Sequence, residues 1–153
     1  MYNTVKILAQ NKKAFHDYEI LEKLEVGIVL YGDEVKSLRA GRASLIGAFA
    51  TIHDGELFMI NANIPIYERA YSKEVDPMRT RKLLLHKREL NRLIGDISRK
   101  GVTVVPLRMY LSERNKIKVE LGICKAKKAA GKKEELRERD IRRQTQRELK
   151  GKY

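Results

Sequence analysis

A mainly antiparallel β fold with helices is the class this sequence predicts: a small closed or nearly closed barrel, helices plugging or covering it, and a basic C-terminal tail. Three observations carry the prediction. Short runs rich in Val, Ile and Leu are separated by tight-turn signals, foremost Asp54-Gly55 and Ser112-Glu113-Arg114-Asn115, which is how antiparallel strands follow one another. Strand-like runs outnumber helical ones, at five or six short strands against two helices, and that balance favours closure into a barrel. The last segment, Lys125 to Tyr153, has no apolar stripe and so no face to offer a core.

Taken in order, Met1 to Lys13 is polar around a short Val5-Lys6-Ile7-Leu8 patch and reads as a loosely held arm. Tyr18 to Leu30 is Ile-, Leu- and Val-rich with charges at alternate places, a long strand bent or bulged near Gly27. Asp33 is a fitting N-cap for two helical turns, Glu34 to Arg39, which Gly41 ends in a left-handed stop. Leu45 to Thr51 and Leu57 to Ile60 flank the Asp54-Gly55 hairpin turn. Ile64-Pro65 and Asp76-Pro77 bound a loop that contains Tyr67 and Tyr71. In the helix from His86 to about Arg99, Leu90, Leu93, Ile94 and Ile97 recur at half-buried spacing, and Gly101 stops it. Val102 to Tyr110 and Ile117 to Cys124 are β-branched runs joined by the Ser112 to Asn115 turn.

The chain has 153 residues, a single-domain length, and a net charge of +13. Residues 125–153 hold 12 Lys and Arg against 5 Asp and Glu, a net +7, which leaves +6 on the remainder. Both parts are basic, so the partner is a polyanion, and nucleic acid is favoured over a membrane because no hydrophobic anchor accompanies the charge. In the tail the charges sort by helical face. At about 100° per residue, Lys132, Arg139, Arg143, Arg147 and Lys150 fall within roughly 80° of one another, opposite Glu134, Glu138 and Glu148, with Asp140 and Glu135 the exceptions. Such a row can lie along a polyphosphate; the bland alternative is a solvated tail that aids solubility. Cys124 is the only cysteine, which excludes an internal disulfide and argues for a buried, inert thiol at a strand end. Met1 to Phe15 has no signal-like apolar run and no stretch approaches membrane-spanning length, so a soluble cytoplasmic protein is expected.

No catalytic or metal-binding set stands out, and no cofactor is expected. His16, His53 and His86 are not at metal-ligand spacing, and the Gly32 to Ser37 stretch lacks the glycine-rich loop that wraps phosphate. Two basic groups are better placed for RNA. Lys36 and Arg39 share a helical face with Arg42 just beyond, and the Asn11-Lys12-Lys13 arm, with His16, can lie near them. Arg79-Thr80-Arg81-Lys82 follows Asp76-Pro77 on a turn leading into the long helix. Cations of this kind meet phosphates, while Asn, Ser and Tyr read sugars and unstacked bases. Ordinary surface charge, balanced by Glu34, Glu74 and Glu89, is the competing reading.

Several strings in this chain resemble the small protein B (SsrA-binding protein) family. They are Asn11-Lys12-Lys13-Ala14, His16-Asp17-Tyr18, Gly32-x-Glu34-Val35-Lys36-Ser37-Leu38-Arg39-x-Gly41 and Asp76-Pro77-x-Arg79-x-Arg81-Lys82-Leu83-Leu84-Leu85. Gly101-x-Thr103-x-Val105-Pro106, Lys118-Val119 and Lys127-Lys128 add to the likeness, which runs from about Asn11 to Arg143. The resemblance implies an oligonucleotide-binding-type barrel over residues 1–124 and a tail, 125–153, that is flexible when free and helical on the ribosome. It implies a non-enzymatic partner of transfer-messenger RNA. The barrel grips the tRNA-like domain, the complex enters ribosomes stalled on broken messages, and the tail takes up the empty message channel of the small subunit.

Matching positions put Asn11, Glu25, Lys36, Ser37, Arg39 and Leu84 on the surface for the RNA elbow, and Lys127, Lys128 and the tail cations, Lys132 and Lys133 among them, on the ribosomal side. Glu25 can accept from a ribose 2′-hydroxyl or orient a neighbouring cation, and Leu84 can equally be core. The chain departs from the family where Ala130 and Gly131 replace an aromatic or His and an acid. Ala130 has no ring to stack on ribosomal RNA, and Gly131 loosens a tail helix by about 1 kcal/mol relative to Ala. A general ribosome-bound assembly protein, or an RNA-cleaving or modifying enzyme built on His16 and Asp17, are the alternatives. The excess of surface charge makes a monomer the expected state.

Overall fold

The computed structural model describes residues 4–70 and 73–127. Seven strands and three helices follow one another there: β1 (Thr4–Gln10), α1 (Lys12–Asp17), β2 (Tyr18–Ile28), α2 (Gly32–Arg39), β3 (Phe49–His53), β4 (Glu56–Ile60), β5 (Arg81–Leu84), α3 (Lys87–Lys100), β6 (Thr103–Ser112) and β7 (Ile117–Ala126). All pairings are antiparallel. The sheet runs β6-β3-β4-β5-β2-β7 and returns to β6, so it closes on itself, with β1 added along the second half of β6. Closure leaves few open strand edges, which is how a small sheet protects itself. The ring agrees with the small barrel that the sequence predicts.

The core follows from alternation. Val26, Met59, Leu83, Val104, Met109, Val119 and Leu121 point into the ring, where Leu38 of α2 and Leu93 of α3 plug it. A second, smaller cluster lies outside, where Ala14 of α1, flanked by Phe15, covers Val105, Leu107 and Cys124. β6 and β7 are therefore buried on both faces, which explains why their sequences read as nearly continuous apolar runs. Cys124 is buried, and burial pushes its thiol up to about 11, as expected of an inert side chain.

Local chemistry sets the turns. Asp54 (φ 49°) and Gly55 (φ 74°) are both left-handed, the requirement of a two-residue hairpin turn. Gly101 ends α3 at φ 61°.

Several details differ from expectation. The N-terminal arm is ordered as β1 and α1, because β6 offers it a free edge and Asn11 caps the helix. The irregularity in β2 lies between Ile20 and Glu22 instead of at Gly27. α2 begins two residues earlier than an Asp33 cap implies: Tyr31 is its N-cap, and the Glu34 carboxylate accepts the Tyr31 N–H at 2.9 Å. Arg81 and Lys82 belong to a strand and not to a turn. β7 runs to Ala126, two residues beyond the expected boundary at 124, and the Lys127 N–H donates to the Asp17 carbonyl. Lys128, Lys132, Lys133, Arg139, Arg143, Arg147 and Lys150 lie outside the described residues.

Candidate nucleic-acid interface

A buried carboxylate organises the basic surface. Glu34, on the first turn of α2, is only 5% exposed. Arg79 grips it with a fork, Nη2 to Oε1 at 2.6 Å and Nε to Oε2 at 3.2 Å. Arg81 adds Nε to Oε2 at 2.8 Å, and its other nitrogens donate to the Ala62 and Pro77 carbonyls at 2.9 Å each. Burial pulls the Glu34 carboxyl up, but the Arg79 and Tyr31 donors and the Arg81 charge outweigh it and hold the group below its ordinary value. Burial also pushes Arg81 down against the pull of Glu34. Guanidinium groups stay protonated in proteins, so Arg81 and Glu34 meet as an ion pair. The clamp fixes α2 to the start of β5 across more than 40 residues of sequence.

Asn11 makes a second tie. Its side-chain oxygen accepts the Ala14 N–H at 3.1 Å, and its amide donates to the Leu45 and Pro106 carbonyls, each at 3.1 Å. It thereby joins the start of α1 to β6 and to the segment after α2.

Three of the expected residues are buried: Asn11 (2%), Ser37 (0%) and Arg81 (0%) face the interior, beneath the surface that the exposed cations form. Ser37 Oγ has no hydrogen-bond partner among the described residues. Arg79 is largely occupied too, between Glu34, the Val29 carbonyl at 3.2 Å and the face of Tyr31.

The other expected residues are open. Lys12, Lys13 and His16 are exposed on α1, with His16 Nδ1 3.1 Å from the Asp17 carboxylate. Lys36 and Arg39, three residues apart on α2, are both exposed. Lys36 stands over Tyr67, 5.5 Å from the ring centre, and Arg42 pairs with Glu68 at 3.1 Å. Lys12, Lys13, Lys36 and Arg39 lie beyond ion-pair distance of any carboxylate among the described residues, so their charge is free for phosphate. Lys82 is half-exposed and pairs with Glu56 at 2.9 Å.

Leu84 is not core. It is 48% exposed on the outer side of β5, opposite Gly27 of β2, which pairs in turn with Lys118 of β7. A Cβ on Gly27 would come within 3.3 Å of the Leu84 Cβ, so the bare glycine is what lets Leu84 lie low across the strand.

Glu25 is half-buried and accepts a hydrogen bond from the Tyr110 hydroxyl, which fixes its carboxylate. Glu120 is its cross-strand neighbour, with Arg108 3.7 Å away and stacked toward Phe15. Sequence reasoning missed Tyr31, Tyr110, Arg108 and Glu120. Tyr31 is the N-cap of α2, and Arg108, Tyr110 and Glu120 sit in strands whose sequences read as nearly continuous apolar runs, so nothing local singled them out.

Among the described residues no group of three or more His, Cys, Asp and Glu side chains could hold a metal, and no helix is long and apolar enough to cross a membrane.

A family profile described as SmpB protein matches residues 8–151. The chain is 46% identical over 149 residues to the SsrA-binding protein of Symbiobacterium thermophilum, covering 97% of this chain and 94% of that one. It is 50% identical over 150 residues to the SsrA-binding protein of Chloroflexus aggregans, with 97% and 94% covered. A solved chain described under "tmRNA-SmpB: a journey to the center of the bacterial ribosome" superimposes with a TM-score of 0.67 at 51% identity, over 85% of this chain and 88% of that one.

Proposed function

This chain belongs to the SmpB protein family, the SsrA-binding proteins, and from that premise we infer that it is the protein partner of transfer-messenger RNA in ribosome rescue. The closed-sheet body, which ends at Lys127, binds the tRNA-like domain, and the complex enters ribosomes stalled on incomplete messages. The extension beyond Lys127 probes the message channel, and release of the ribosome with a tagged product follows. The protein acts by binding, without chemical turnover, in the cytoplasm where its ribosomal partner works. The observation that carries this reading is the 51% identity with the tmRNA-SmpB chain over 85% of the present one.

The described geometry supports a division of roles. Lys12, Lys13, Lys36 and Arg39 supply phosphate contacts, Leu84 an apolar contact, and Glu25 an acceptor for a ribose 2′-hydroxyl or a base amino group. Asn11, Glu34 and Arg81 hold those groups in place from below. For the extension, ordering costs on the order of 2–5 kcal/mol, as in other coupled folding, and phosphate contacts with counterion release offset it. A channel still filled by message withholds those contacts, which lets a passive tail discriminate.

Cross-linking the protein in bacterial lysate and sequencing the attached RNA tests the reading. Transfer-messenger RNA should dominate the recovered pool. Recovery of ribosomal RNA alone would instead identify a ribosome-assembly protein.

A further inference from the structure

We propose that Tyr31, backed by the Arg79 guanidinium, is a stacking platform for one unpaired base of the RNA partner. The proposal rests on the RNA-binding reading above and adds to it a residue and a ligand class.

Tyr31 is a large aromatic left 53% exposed. Its backbone is fixed as the N-cap of α2, where its N–H donates to Glu34 Oε1. One face of the ring is covered, since the Arg79 Cζ lies 4.1 Å from the ring centre. That guanidinium cannot swing out to a phosphate, because Glu34 and the Val29 carbonyl hold it. With Arg79 against one face, the exposure left to the ring is on its other face and its edge. A ring held this way loses little freedom on stacking, and the cation behind it adds to its grip.

The surroundings say what the open face takes. Tyr31 lines a shallow open groove together with Asp33, Ile64, Pro65 and Tyr67. The Asp33 carboxylate repels phosphate but accepts from a base amino group. On the groove's Tyr67 side, Lys36 stands over the ring and offers a cation to the flanking phosphate. A base therefore enters the groove while its backbone stays outside. Mere shielding of the Arg79–Glu34 pair needs no ring with an open face; a Lys or Leu stem does as much.

The chain contains no Trp, so Tyr31→Trp in the full-length protein places a single reporter on the platform. Titrated with the tRNA-like domain of transfer-messenger RNA, its emission should fall in step with complex formation measured independently by filter binding. Tyr31→Phe should bind as the parent does, and Tyr31→Ala should bind on the order of ten-fold more weakly, with an unchanged melting temperature. Unchanged Trp emission with the RNA bound at parental affinity overturns the platform and leaves the RNA-binding reading standing. Failure of the parent chain to bind this RNA overturns both.

Discussion

At Glu34 one buried carboxylate meets two guanidinium groups. Removing it leaves Arg81 fully buried without a counter-charge, and breaking such a pair costs about 3–5 kcal/mol. Glu34→Ala should therefore lower the urea midpoint by that equivalent, and a loss under about 1 kcal/mol would mean that the site relaxes with solvent. The clamp also predicts a pH dependence. The carboxyl is held below its ordinary value of 4.5, so its contribution is fully present above that pH and fades as pH falls through the lower native value. Glu34→Gln should flatten the stability curve below about pH 4.5 and leave its slope near neutrality unchanged. Leu84 gives the opposite signature. Its exposure predicts that Leu84→Ala changes stability by no more than about 0.5 kcal/mol, yet weakens RNA binding in a gel-shift titration. A stability loss of about 2–5 kcal/mol would return Leu84 to the core.

Among the elements, those governed by neighbours in sequence were legible, and those governed by distant partners were not. The Asp54-Gly55 hairpin, the left-handed Gly101 and the apolar period of α3 are local chemistry, visible in the residue order. That Lys36 and Arg39 share a face of α2 followed from helical spacing alone. Nothing local, however, tells that Arg81 is inward and Lys82 outward, since that depends on the register of a four-residue strand between β4 and β2. Nor does residue order reveal that Glu34 waits for Arg79 and Arg81, or that Asn11 is spent on carbonyls 34 and 95 residues away. β1 looked like a loose arm because its only support is the edge of β6. An element-level test follows from α3. Gly101→Ala forces a Cβ into a left-handed conformation and should cost about 1–2 kcal/mol, read as a lower melting temperature; an unchanged value would show that the stop can unwind freely.

For the whole molecule, the account joins a folded body that recognises structured RNA to a cationic extension that acts on the ribosome. Because β7 runs to Ala126 and Lys127 is tied to Asp17, truncation should follow Lys127. A chain of residues 1–127 should keep most of its affinity for the tRNA-like domain but lose ribosome rescue in a reconstituted tagging assay. Loss of both together would contradict the division of labour. The most direct measurement is the affinity of the full-length protein for the tRNA-like domain of transfer-messenger RNA, set beside a plain RNA duplex of equal length at about 0.15 M salt, where long-range charge attraction is largely screened. The account predicts clear preference for the tRNA-like fold. Equal affinity for the two, or none for either, would contradict it.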